Sequence, residues 1–191
     1  MRWDSLFDDL EGQLEQELSA EDEDLRTEEE RLRLSRLTLR DRLAGVSCPE
    51  GAPIRVRLSS GDQLTMTVAM LGRDWLSGEP SGPGPRASLL IPLDAIAGVV
   101  LGPAAAERDP PGEERGLTAR LGFAFVLRDL ARRRVGVELR TRTGILTGTI
   151  DRVGRDHLDL ALHDLAVPRR RGAVSAVELV VLSTVLVVRI P

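Results

Sequence analysis

The segment Ile54-Arg55-Val56-Arg57-Leu58 alternates apolar and charged residues without a break, the two-residue period of a strand with one face buried and one in water. Ser59-Ser60-Gly61-Asp62 supplies a turn, and Leu64, Met66 and Val68, interleaved with Thr65, Thr67 and Ala69, predict the returning strand. Gly72-Arg73-Asp74 turns the chain again, and Trp75-Leu76 opens a short strand that runs into a Gly and Pro loop at 78–85. Ser88 to Ile91 and Ile96 to Leu101 add two strands around Pro92-Leu93-Asp94. Five short strands in about 48 residues suit a small, strongly bent barrel.

Ahead of these strands the period changes. Trp3, Phe7, Leu10, Leu14 and Leu18 recur at helical spacing with acids between them, which predicts an amphipathic helix whose apolar stripe needs a partner. Ser19 with Asp22, and Thr27 with Glu30, carry the oxygen-then-carboxylate spacing of a helix start, so a second helix is expected from one of them. Leu18, Leu25, Leu32 and Leu39 repeat every seven residues, but Glu, Arg or Ser fill the alternate seam positions, so only half of a coiled-coil seam exists. The reading is a helical arm over 1–46, ended by Gly45 and the 49–53 stretch with its two prolines.

After Leu101 the stretch 102–116 has Pro, Gly and charges without apolar periodicity and reads as a linker. Leu117 to Arg134 reads as a helix, and then the strand pattern returns. Val137 and Leu139 stand where Val56 and Leu58 stood. Leu146, Thr147, Thr149, Ile150 and Gly154-Arg155-Asp156-x-Leu158 match Leu64, Thr65, Thr67, Val68 and Gly72-Arg73-Asp74-x-Leu76. Leu93-x-Ala95-Ile96 is matched to Val174-x-Ala176-Val177, and Leu39-Arg40-Asp41 to Leu127-Arg128-Asp129. A near-constant spacing over so many positions argues for duplication. Val177 to Ile190 is almost continuously Val and Leu and is expected to form final strands covered on both faces. The fold class is therefore mainly β with a helical N-terminal arm (α+β). It contains two tandem five-stranded barrels, over 54–101 and within 117–191, each preceded by a helix.

Composition narrows the chemistry. Every basic residue of the 26 is Arg, so a phosphate-loop lysine, a Schiff base and a lysine general base are excluded. His157, His163 and Cys48 are too few and too scattered for a typical zinc site, and the histidines read as surface residues. No nucleophile elbow, His-Glu-x-x-His or dinucleotide fingerprint occurs. The expectation is a protein that is not an enzyme and that needs no cofactor and no metal. No apolar run is long enough to span a bilayer and the start lacks a signal-peptide layout, so a cytoplasmic location without membrane contact is expected. Charge is uneven: residues 1–50 hold 15 acids against 7 arginines, whereas from 117 onward 13 arginines face 7 acids.

The run Val137-x-Leu139, Gly144, Gly148-x-Ile150 and Asp156-x-Leu158, behind a helix, resembles the first motif of the Sm-like family, and Arg171-Gly172 with its alternating apolar tail resembles that family's second motif. In the first copy Met66 replaces the strand glycine and the Arg-Gly pair is missing. The resemblance implies an SH3-like small barrel, ring or edge-strand assembly, and bases stacking where the strand after the Asp begins. The family's Asn is absent after Asp74-Trp75-Leu76 and after Asp156-His157-Leu158. The PRC-type barrel, a protein-docking module, is an equally close resemblance.

Two functions follow. One is a non-catalytic regulatory protein that binds nucleic acid, RNA first, through Arg132, Arg133, Arg134, Arg155, Arg169, Arg170 and Arg171, whose planar forks match phosphate, with His157 available for stacking. The other is a protein-docking scaffold or assembly factor that uses Trp3, Phe7, Leu10 and Leu14 of the arm and Trp75 of the first barrel, with homo-oligomers as one outcome.

Overall fold

A computed structural model of the chain describes residues 23, 25–46, 53–84, 86–108, 116–166 and 172–191. The chain forms two compact units, Met1–Thr38 and Leu39–Pro191. In the first, residues 25–35 are helical (α1) and residues 36–38 leave the helical path, so one helix does not carry the leucine repeat through to Leu39. Thr27 lies inside α1 rather than at its start. Its hydroxyl donates to the Glu23 carbonyl at 2.8 Å, bonding back into the preceding turn instead of capping. Leu25 and Leu32 are exposed. The arm residues Trp3, Phe7, Leu10 and Leu14, and the start expected at Ser19, lie outside the described residues.

The second unit holds α2 (Leu39–Val46), β1 (Ile54–Leu58), β2 (Gln63–Leu71), β3 (Trp75–Pro80), β4 (Ser88–Pro92), β5 (Ile96–Val100), α3 (Pro103–Ala106), α4 (Phe123–Arg133), β6 (Gly136–Thr141), β7 (Ile145–Val153), β8 (His157–Leu162), β9 (Ala176–Val181) and β10 (Val185–Ile190). The mainly β expectation holds. Two separately closed barrels do not form, however: all 10 strands make one open sheet in the order β5-β1-β2-β3-β4-β10-β6-β7-β8-β9. The last strand of the chain enters the middle of the sheet, pairing with β4 on one side and β6 on the other. That leaves β5 and β9 as its two edge strands, unpaired on their outer sides among the described residues.

The order is one path walked twice, 5-1-2-3-4 and then 10-6-7-8-9, and the registers repeat with it. Met66↔Pro80, Thr67↔Glu79, Val68↔Gly78, Met70↔Ser77 and Leu71↔Leu76 become Gly148↔Leu162, Thr149↔Ala161, Ile150↔Leu160, Arg152↔Asp159 and Val153↔Leu158. Each residue moves on by 82, and the register slips at the same point in both halves. The first strand and the last pair correct the alignment expected from sequence. Leu58↔Ile96, Arg57↔Gly98 and Val56↔Val99 correspond to Thr141↔Val185, Arg140↔Val187 and Leu139↔Val188, so Val56 matches Leu139 and not Val137. The short 3-10 turn Leu93–Ala95 likewise corresponds to Leu182–Thr184 rather than to 174–176. The pairing Leu39-Arg40-Asp41 with Leu127-Arg128-Asp129 agrees with the contacts. Arg40 Nε donates to the Gly72 carbonyl at 2.9 Å, and Arg128 Nη2 donates to the equivalent Gly154 carbonyl at 3.0 Å.

Two apolar clusters fill the halves. The first gathers Leu43 of α2 with Ile54, Val56, Leu58, Met66, Leu76 and Ile91, and it also takes Leu186 and Val187 from β10. The second gathers Phe123, Leu127 and Leu130 of α4 with Val137, Leu139, Ile150, Leu158 and Leu160, and it takes Trp75 and Leu90 from the first half. Each half thus completes the other's core, and every fully buried side chain of this size stabilises by roughly 1.5–3 kcal/mol. The helix expected over 117–134 is split: Leu117–Arg120 is a 3-10 turn, and Gly122 is the N-cap of α4. Within the 102–116 linker, α3 is a single helical turn. The terminal Val and Leu run is covered on both faces only in β10. In β9, Val180 alone is buried, because among the described residues no strand pairs along its outer side.

Candidate functional site

The turn between β2 and β3 is built to hold another segment of the chain. Gly72 donates its N–H to the Trp75 carbonyl at 2.8 Å, and Leu93 donates to the Asp74 carbonyl at 2.9 Å. A Cβ at Gly72 would stand 2.2 Å from the indole ring, so glycine there lets the ring fold back over the turn. In that position Nε1 of Trp75 donates to the Leu121 carbonyl at 2.9 Å, and the Arg73 N–H reaches the same oxygen at 3.0 Å. Oδ1 of Asp74 accepts the Phe123 N–H at 2.7 Å. Because Phe123 opens α4, Asp74 is a cap supplied from across the sheet, a carboxylate at the positive end of a helix. Trp75, a docking candidate in the sequence, is 3% exposed and engaged with the chain's own backbone.

The turn between β7 and β8 repeats this frame with its seat open. Gly154 donates to the His157 carbonyl at 2.9 Å, and Leu182 donates to the Asp156 carbonyl at 2.8 Å. A Cβ at Gly154 would stand 2.6 Å from the His157 ring, which occupies the place of the indole. Arg155 is exposed, and among the described residues no backbone carbonyl accepts from Arg155 N–H as Leu121 accepts from Arg73. His157 Nδ1 and Asp156 Oδ1 are 2.8 Å apart, and the hydrogen bond from His157 holds the Asp156 carboxyl below its usual range. The stabilisation from this pair is present above the ordinary carboxylate pKa and fades as pH falls through the lowered folded value. In a His157→Ala variant, the Asp156 side-chain carbon followed by NMR is expected to titrate at a higher pH than in the parent chain. An unchanged midpoint would mean that the bond does not set it.

The other sequence candidates are distributed as follows. Arg132 and Arg133 both bond Asp129, the second at 2.7 Å, and Arg134 lies 3.6 Å from Asp151. Arg134 takes the left-handed conformation that ends α4, with φ at 54°. Two of the three thus share one carboxylate along the helix instead of converging on a common ligand. Arg169, Arg170 and Arg171 lie outside the described residues. His163, expected at the surface, is buried: Nε2 is 2.8 Å from the Thr149 hydroxyl and Nδ1 is 2.9 Å from the Asp164 carbonyl, so both ring nitrogens are satisfied. Among the described residues no group of three or more His, Cys, Asp or Glu converges to hold a metal ion.

Alternation marks β9 as a strand but does not say which of its edges is left unpaired. Leu90 of β4 is 2% exposed beside β10, whereas its repeat equivalent Leu179 of β9 is 67% exposed. Val177 and Val181 are also exposed. An open strand edge with three exposed apolar side chains is a pairing template, which proteins normally cover or charge. The far edge, β5, exposes Val100.

Comparison with protein-family models, with curated proteins and with solved structures returned no match. Among the described residues no helix is long and apolar enough to cross a membrane.

Proposed function

We propose that this chain is a non-catalytic docking module in which the free edge of β9 takes a strand from a partner polypeptide, and that the partner is the free β5 edge of a second copy. The observation that carries the reading is the β4–β10 joint. There the chain already joins one half to the other through strands whose repeat equivalents, β9 and β5, are the two unpaired edges of the sheet. Carrying Leu90↔Val188 over to those edges sets Leu179 against Val99. The pairing would be head-to-tail, so it builds a closed ring or an open series according to the rotation at each joint. The Sm-like resemblance supports the same reading, since it implies edge-strand assembly.

The nucleic-acid reading has less support. Arg132, Arg133 and Arg134 each face a carboxylate.

Light scattering tests the proposal. The 20.9 kDa chain is expected to give a mass that is a multiple of this value and rises with concentration. Val177→Arg with Leu179→Arg is expected to return it to one chain, because like charges on an edge oppose pairing. A single-chain mass for the parent protein throughout the micromolar to near-millimolar range would overturn it.

A further inference from the structure

We infer that the Gly154–His157 turn is a second backbone clamp, with no occupant among the described residues, and that it takes the start of a helix in a partner polypeptide. The first-half turn defines what such a clamp binds: an extended residue whose carbonyl accepts from Arg73 N–H and Trp75 Nε1, followed two residues later by an N–H that Asp74 accepts as the helix begins. The second turn keeps each of these groups in place. Arg155 N–H stands for Arg73 N–H, Asp156 stands for Asp74, and His157 folds over Gly154 as Trp75 folds over Gly72. His157 donates to Asp156 through Nδ1, so in the imidazolium form Nε2–H is the ring donor left to meet a carbonyl, and Oδ2 of Asp156 is left for the incoming N–H.

The surroundings agree with an occupant of this kind. Leu90 sits in the cluster that also holds Phe123, the first residue of the clamped helix, while its equivalent Leu179 is open to solvent. A helix start bearing an apolar residue would cover Leu179 and present its positive dipole end to the Asp156 carboxylate. A second copy is poorly suited to the seat. The residues preceding its α2 that correspond to 121–123 are 33–35, and these are helical rather than extended. The inference therefore stands apart from strand pairing between copies and concerns a different ligand.

The probe is a blocked peptide with the sequence of residues 119–131, Ala-Arg-Leu-Gly-Phe-Ala-Phe-Val-Leu-Arg-Asp-Leu-Ala, added to the full isotope-labelled chain. NMR shifts are expected at Arg155 to His157 and at Leu179. Asp156→Ala, at an exposed position where folding is not at risk, is expected to weaken binding about tenfold, the loss of one charge-assisted hydrogen bond. Asp156→Asn, which keeps an acceptor, is expected to stay within a few-fold of the parent. No shift in the 155–157 turn at millimolar peptide, shifts confined to 72–75, or equal affinity in Asp156→Ala would each overturn the assignment. The mass measured in the same samples reports strand pairing between copies separately, so the two proposals fail independently.

Discussion

Gly148→Val is expected to abolish the folded state of the Leu39–Pro191 unit, or to lower its stability by about 3–5 kcal/mol, a large part of the 5–15 kcal/mol typical of a whole domain. A Cβ at this position would lie 2.0 Å from the Ala161 carbonyl oxygen, 2.9 Å from its carbon and 3.2 Å from Leu162 Cα. All three are backbone atoms of the neighbouring strand, so no rotamer change relieves the clash and β7 and β8 must separate. The first half has the same pinch at a different residue. A Cβ at Gly78 of β3 would lie 2.0 Å from the Thr67 carbonyl oxygen, with the end of Met66 at 2.8 Å. The small residue has changed strands between the copies: Gly78 of β3 corresponds to Leu160 of β8, and Met66 of β2 corresponds to Gly148 of β7. Urea unfolding followed by circular dichroism reads the effect. Gly84→Ala, where a Cβ meets nothing within 4 Å, is the control and is expected to shift stability by no more than about 0.5 kcal/mol. A Gly148→Val midpoint within error of the parent would show that the strands can part cheaply.

Trp75→Ala is expected to cost about 3–5 kcal/mol, the range for deleting a buried aromatic side chain. It would empty a site shared by both halves and remove one of the two donors on the Leu121 carbonyl. Trp75→Phe separates these contributions. It keeps most of the packing, and Arg73 N–H still serves the carbonyl, so the expected cost falls to about 1–2 kcal/mol. The parent chain has two tryptophans, so the blue-shifted emission of Trp75 can be assigned by its loss in Trp75→Phe. Trp75→Ala as stable as the parent would remove the indole from the joint between the halves.

Much of the fold was legible because strand alternation is a local signal. Ile54–Leu58 is found with the bounds its pattern sets, and the second half reappears where Gly154-Arg155-Asp156 echoes Gly72-Arg73-Asp74. The errors occur where non-local pairing decides. Val137 was aligned with Val56 because valines look alike, while the hydrogen-bond register is fixed by the whole ladder and aligns it with Ile54. Closure into two barrels failed for the same reason. Local periodicity shows that β4 and β10 are buried strands, but not that they bury each other. The surroundings of Trp75 were not legible because an aromatic after a turn suits a rim as well as a core, and its partner Leu121 lies 46 residues away. Asp74 went unrecognised as a helix cap because capping patterns are sought within a few residues of the helix, and this cap acts over 49.

That same span gives the chain a direction in time. A ribosome completes the 72–75 turn some 46 to 49 residues before it adds Leu121 to Phe123, so the receiving groups exist before the helix they start. Translation halted in between would leave a half-molecule with an empty seat and a bare β4 margin, open to whichever nascent strand arrived first.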